Sequence, residues 1–103
     1  MNKFKEGDLV YCSYEQDGEK AEWLQIIKYI EPLGKNGSRE IYIEDYAGAY
    51  ISNKPESDDE FWINSYSDAA QNIRMATEEE RQQLIKRLES SLNPIAKQIL
   101  KML

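Results

Sequence analysis

The sequence predicts an α+β domain in which a small antiparallel β-barrel or strongly twisted sheet, residues 1–75, is followed by two C-terminal helices, 77–91 and 94–103. Three observations predict it. Short segments rich in Tyr, Trp and Ile, separated by polar turns, fill the first part of the chain. From Thr77 the apolar period becomes helical. At that junction Thr77 and Glu80 stand in a capping-box pattern: the threonine side chain can accept from a free amide of the first turn while the glutamate reaches back to the threonine's own amide. A chain of 103 residues has room for one core, so it is read as a single domain, 1–103.

The elements follow in order. Gly7-Asp8 supplies a turn that feeds a strand from Leu9 to Tyr14. Asp17-Gly18 sits in a short polar link, and Ala21 to Ile30 suits a pleated surface, so residues 9–30 are expected to form a hairpin. Strict alternation would put Trp23, Gln25, Ile27 and Tyr29 on one face and Leu24, Ile26, Lys28 and Ile30 on the other. Residues 32–38 form a loop with two glycines, and a third strand runs from Arg39 to Asp45 with Tyr42 facing away from Ile41 and Ile43. Two shorter strands are expected at Ala49–Ser52 and Glu60–Ile63, separated by an exposed loop at 53–59. Five short strands opened by a Gly-Asp turn suggest a closed or half-closed barrel of the Src-homology-3-like or Tudor-like type, or else an open sheet with a helix across one face.

In the first helix Leu84, Ile85, Leu88 and Leu92 line one side. Asn93-Pro94 interrupts it, because proline disfavours a helical conformation at the residue before it and suits a first helical position itself. The second helix carries Ile95, Ile99, Leu100 and Leu103 on one stripe and is too short to persist in water without packing. If that stripe is exposed in the monomer, a homodimer through the C-terminal helix is the simplest way to cover it.

Composition narrows the function classes. No apolar run is long enough to cross a bilayer, and the start of the chain lacks the apolar core of a signal peptide, so no membrane contact and a cytoplasmic location are expected. Cys12 is the only cysteine and is expected to be a small buried or half-buried side chain, not a nucleophile. Histidine is absent, which removes the usual general base, the usual metal ligand and the common nucleophile triads. Glu44 and Asp45 are adjacent on a strand and point to opposite faces, so they cannot converge. Asp58-Asp59-Glu60 reads as solvated charge without calcium-loop spacing, and no glycine-rich phosphate loop is present. The expectation is no enzyme, no cofactor and no metal.

The net charge is -6, unevenly spread: residues 1–60 hold seven basic and fourteen acidic side chains, whereas residues 81–103 hold five basic ones and only Glu89. The aromatic set, Tyr11, Tyr14, Trp23, Tyr29, Tyr42, Tyr46, Tyr50, Trp62 and Tyr66, outnumbers the two Phe. Amphipathic rings suit contact surfaces, and strand propensity alone also favours them. The candidate binding surface is Tyr11, Trp23, Tyr29, Tyr42, Tyr46 and Trp62. The interleaved charges are mostly acidic, which argues against nucleic acid on the sheet and for a protein or peptide partner. The alternative is a nucleic-acid-binding regulator that uses Arg81, Lys86, Arg87, Lys97 and Lys101 on the basic C-terminal helices. Those cations also offset helix macrodipoles.

The opening Phe4-Lys5-Glu6-Gly7-Asp8-Leu9-Val10, joined to Ile73-Arg74-Met75-Ala76-Thr77-Glu78-Glu79-Glu80 and then Gln83-Leu84, resembles small uncharacterised proteins of Bacteroidetes prophages and mobile elements. Those end a compact β-domain with an Arg-x-Ala-Thr-x-Glu-Glu junction into a helix. The chain departs from that pattern after Leu88, where Ser90 to Pro94 leads to an extra amphipathic helix. The resemblance implies an accessory role in a phage or mobile element, with no catalytic residue to carry over.

Overall fold

The computed structural model describes residues 4–30, 40–54, 56, 59–64 and 68–103. The expected loop at 32–38, residue Arg39, Tyr66, and residues 55, 57 and 58 of the expected acidic loop lie outside the described residues. Six strands, β1 (Leu9–Gln16), β2 (Glu19–Ile30), β3 (Ile41–Ser52), β4 (Phe61–Ile63), β5 (Asp68–Ala70) and β6 (Asn72–Met75), precede α1 (Glu78–Ser90) and α2 (Pro94–Met102).

The β1–β2 hairpin forms where its turn residues allow. Asp17 and Gly18 both take positive φ, 54° and 81°, as a two-residue type I′ turn requires, and Gln16 pairs directly with Glu19. Such a turn matches the right-handed twist of its strands, so the register continues without a break to Leu9 opposite Ile26. β2 then pairs with β3, β3 with β4, and β1 with β6, all antiparallel. β5 joins the far end of β3 at Ile41–Ile43.

The barrel expectation is corrected to a bent, open, six-stranded antiparallel sheet followed by two helices. β4 and β5 are three residues each and both pair with β3, at opposite ends. No ladder among the described residues joins β4 and β6, the two ends of the strand order. Two strand assignments also change. Ala49–Ser52 is the end of a continuous β3, and residues 68–75 supply two strands that the sequence pattern does not reveal.

Each face of the sheet packs its own core. On one face Leu9, Leu24, Ile26, Ala47, Ala49 and Phe61 meet Leu84 and Leu88 of α1 and Ala96 and Ile99 of α2. On the other, Val10, Cys12, Trp23, Ile27, Ile43 and Ala70 form a second cluster. Alternation along β2 sends Leu24 and Ile26 to the helices and Trp23 and Ile27 to the second core, as expected. Register shifts after Ile26 and Ile27 break that alternation, so Ile30 packs with the second core and Tyr29 turns outward.

α1 starts as its sequence dictates. The Glu80 amide donates to Thr77 Oγ1 at 3.1 Å and the Thr77 amide donates to Glu80 Oε1 at 2.8 Å. Three glutamates in the first turn complement the positive end of the helix. Replacing Thr77 by alanine is expected to lower stability by about 1 kcal/mol, read as a fall in the urea midpoint at unchanged slope. An unchanged midpoint would show that the cap is dispensable. The helix ends at Ser90, so Leu92 leaves the apolar stripe and is 97% exposed.

α2 is capped by Asn93, whose side chain accepts from the Ile95 amide, with Pro94 at its start. The stripe Ile95, Ile99, Leu100 and Leu103 is placed on the first core: Ile99 is buried and the other three pack against that cluster. Ile95, Leu100 and Leu103 stay half-buried there, so the stripe is covered in large part within one chain. The short helix is held by α1 and β4 within one chain.

Candidate functional site

The aromatic residues proposed as one surface fall into three settings. Trp23, Tyr50 and Trp62 pack together: Tyr50 and Trp62 lie 4.7 Å apart between centroids, and Trp23 meets Tyr50 edge-on at 6.3 Å. Each ring occupies the space beside the next, so the trio is packed matter. The Trp23 indole N–H donates to the fully buried Gln25 side chain, whose Nε2 finds no acceptor among the described residues. The Trp62 indole N–H donates to buried Asp45 at 2.8 Å. Trp62 lies so close over Gly48 that a side chain there would strike the indole. Trp23 is buried and Trp62 half-buried.

Tyr11 and Tyr46 are tied down by charged neighbours. The Arg74 guanidinium covers the Tyr11 ring at 4.1 Å, and the Tyr11 hydroxyl donates to Glu22, which also accepts from Ser52 at 3.1 Å. Burial, with the Glu22 carboxylate beside it, pushes the Tyr11 hydroxyl up to about 12, and the same hydrogen bond holds Glu22 below the usual carboxylate range. The Tyr46 hydroxyl donates to Glu6, while Lys28 Nζ stands 5.9 Å from the Tyr46 ring centroid. These contacts leave Tyr11 and Tyr46 as parts of a polar network that ties the strands together.

Arg74 carries that network into the helix. Its two terminal nitrogens donate to the Glu80 carboxylate at 2.7 and 2.9 Å. This forked contact, helped by the Thr77 amide, lowers Glu80 to about 2. A folded-state value below that of the unfolded chain makes the contribution full above the unfolded value and lost as pH falls from about 5 towards 2. With solvent screening around half-exposed Arg74, its expected size is about 1–2 kcal/mol. Urea midpoints at pH 7 and pH 2.5 for wild type and Glu80→Gln check this. The gap between the two proteins should narrow at the lower pH, and a constant gap would overturn the assignment.

Tyr29 and Tyr42 are different: they are 56% and 38% exposed. Tyr29 lies directly opposite Glu44 across the β2–β3 ladder, and Tyr42 precedes Glu44 by two residues. Opposed residues, and residues two apart on a strand, share a face. The two rings and the Glu44 side chain therefore stand together on the outer side of the sheet, while Ile30 and Ile43 pack behind them. Glu40 borders this patch, accepting from the Tyr14 hydroxyl at 3.1 Å and the Tyr42 hydroxyl at 3.3 Å. Tyr29 and Tyr42, both nominated from the sequence, are the exposed members of that set; Glu40, which sequence reasoning missed, stands two residues from Tyr42 and four from Glu44.

The basic tail is partly committed to packing. Arg87 Nη2 donates to the Tyr50 carbonyl at 2.9 Å and pairs with Glu60, and its guanidinium lies 5.4 Å from the Phe61 ring. Lys86, Lys97 and Lys101 are exposed. Glu44 and Asp45 do not converge, since Asp45 is buried beneath the sheet. Among the described residues no group of three His, Cys, Asp or Glu side chains is placed to hold a metal ion, and no helix is long and apolar enough to cross a membrane. No protein-family model, curated protein or solved structure matches this chain.

Proposed function

We propose that this protein is a non-enzymatic protein- or peptide-binding module whose contact surface is the outer face of β2 and β3 at Tyr29 and Tyr42. One observation carries the reading: these two of the six nominated aromatics are exposed and share a face, while Trp23 is buried and Tyr11, Tyr46 and Trp62 are half-buried. Amphipathic rings on a rigid ladder offer contact area at little cost in side-chain freedom. The junction Arg74-x-Ala76-Thr77, with the resemblance it carries, supports an accessory role in a bacterial phage or mobile element, acting in the cytoplasm. Residues 68–75 pair with β3 through β5 and with β1 through β6, which supports reading the bent sheet as a Src-homology-3-like barrel left open.

A random-peptide display library selected on the wild type and counter-selected on Tyr29→Ser/Tyr42→Ser tests this. Enriched peptides should bind the wild type and lose about tenfold or more in affinity on the double variant, as expected when two interfacial rings are removed. Failure to enrich any such peptide would overturn the reading. Exposed Lys86, Lys97 and Lys101 favour a second reading, a nucleic-acid contact through the helices. Titration with a single-stranded oligonucleotide separates the two, since phosphate contacts weaken steeply as salt rises.

A further inference from the structure

We infer that the Trp62 indole is the exchangeable plug of a flat-ring binding slot in the second core, and that the slot takes a bicyclic lactam, a fused planar heterocycle with a ring N–H beside a carbonyl. This goes beyond the peptide-binding reading and does not depend on it. The frame of the slot is a grid on the two long strands. Trp23 lies opposite Tyr50, Gln25 opposite Gly48 and Ile27 opposite Asp45. Gly48 is the one node of that grid without a side chain. The Trp62 indole reaches in from β4 and fills it, with ring atoms where a Gly48 Cβ would go.

Frame and plug are held differently. β2 and β3 are twelve residues each, paired from Glu22 to Ile30, and Trp23, Gln25 and Asp45 on them are buried. β4 has three residues, pairs only with β3 among the described residues and leaves Trp62 half-buried. Withdrawing the indole therefore opens the slot to solvent while its walls stay in register. Two buried polar groups then choose the occupant. Asp45 accepts from a ring N–H, that of the indole, at 2.8 Å. The Gln25 carbonyl accepts from Trp23, and its Nε2 has no acceptor among the described residues. An indole carries a donor and no acceptor, so it meets Asp45 and leaves the Gln25 amide unmet. A fused lactam of similar size supplies both, its N–H to Asp45 and its carbonyl to Gln25. Tyr50, whose ring centroid lies 4.7 Å from that of Trp62, offers the same ring contact to either. Oxopurine bases and benzo-fused lactams share this edge.

The experiment titrates the full chain with indole, carbostyril (a benzo-fused lactam) and hypoxanthine while the Trp62 indole proton resonance is followed. In the wild type carbostyril is expected to move that resonance to saturation and to bind about fivefold tighter than indole, the share of one added hydrogen bond. Trp62→Ala should bind carbostyril about tenfold tighter than the wild type, because the plugged form no longer competes. Removing a ring that merely contacts a surface ligand would weaken binding instead. Gln25→Met should bring carbostyril and indole within about twofold of each other. The urea midpoint and near-ultraviolet dichroism check that the variants fold, and if Trp62→Ala does not, the wild type and Gln25→Met decide. Hypoxanthine binding alongside carbostyril supports the slot with a nucleobase source, and carbostyril binding alone supports it with another lactam. A wild-type Trp62 resonance that no probe moves overturns the inference, even if Trp62→Ala accepts the probes in an engineered cavity. Equal affinity of the wild type for indole and carbostyril overturns it too. Neither result bears on the peptides selected through Tyr29 and Tyr42.

Discussion

Leu88→Ala is expected to destabilise the protein by about 3–5 kcal/mol, the range for a fully buried leucine whose cavity cannot collapse. Leu88 is almost wholly buried and belongs to the cluster in which both helices meet the sheet. Its neighbours there include Leu9, Leu24 and Ile26 on strands that the β1–β2 hairpin holds in register. Those strands resist moving inward, so the void persists. A domain of this size is stable by about 5–15 kcal/mol, and the loss takes a large share of that margin. Urea unfolding should show a much lower midpoint at an unchanged slope. A loss under about 1 kcal/mol would mean that the helices contribute little to the core. Ile99→Ala, in the stripe expected to be an association surface, should behave like Leu88→Ala and leave the solution mass unchanged, as the seating of Ile99 in the same cluster requires.

Gly48→Ala is the second large effect. Gly48 lies opposite Gln25 on one side and Trp62 on the other. A Cβ built there falls 2.9 Å from Trp62 Cη2 and nearer still to Cζ2 and Cε2, inside any tolerable contact. The indole is the part that must shift, and it is pinned by its N–H on Asp45 and by Tyr50 packed against it. Displacing it withdraws a donor from a buried carboxylate while overpacking the strand, and the two costs together come to about 2–5 kcal/mol. The Trp62 indole proton resonance should move and the near-ultraviolet dichroism should change with the stability loss. Trp62→Leu in the same chain should relieve much of the penalty, and full additivity of the two changes would refute the clash. This glycine is required by the ring above it, with no unusual backbone angle involved.

What was legible in the sequence is what is decided locally. The Asp17-Gly18 turn, the Thr77–Glu80 capping box and the Asn93-Pro94 start each involve a few neighbouring residues whose chemistry admits few alternatives. β5 and β6 were illegible because three- and four-residue strands such as Asn72–Met75 have no period of their own and exist through pairing with β1 and β3. The candidate surface was half legible for a related reason. Composition marks tyrosines and tryptophans as suited to contact, but irregular pairing on β2 decides that Tyr29 turns out and Ile30 in. Trp23 and Trp62 were nominated with the same signal, yet Trp23 is buried and Trp62 half-buried, their indole N–H groups donating to Gln25 and Asp45.

The ladder that pairs Val10 with Met75 has a consequence for the order of events at the ribosome. β1 and β2 can meet as soon as the hairpin emerges, yet the other edge of β1 stays bare until Asn72–Met75 follows, roughly forty residues after Ile30. Synthesis at about 5–20 residues per second makes that a wait of seconds, during which a strand carrying Val10 and Cys12 is open to pairing with other chains. The charged residues flanking it, Glu6 and Asp8 before and Glu15 and Asp17 after, guard the nascent hairpin by repelling its copies.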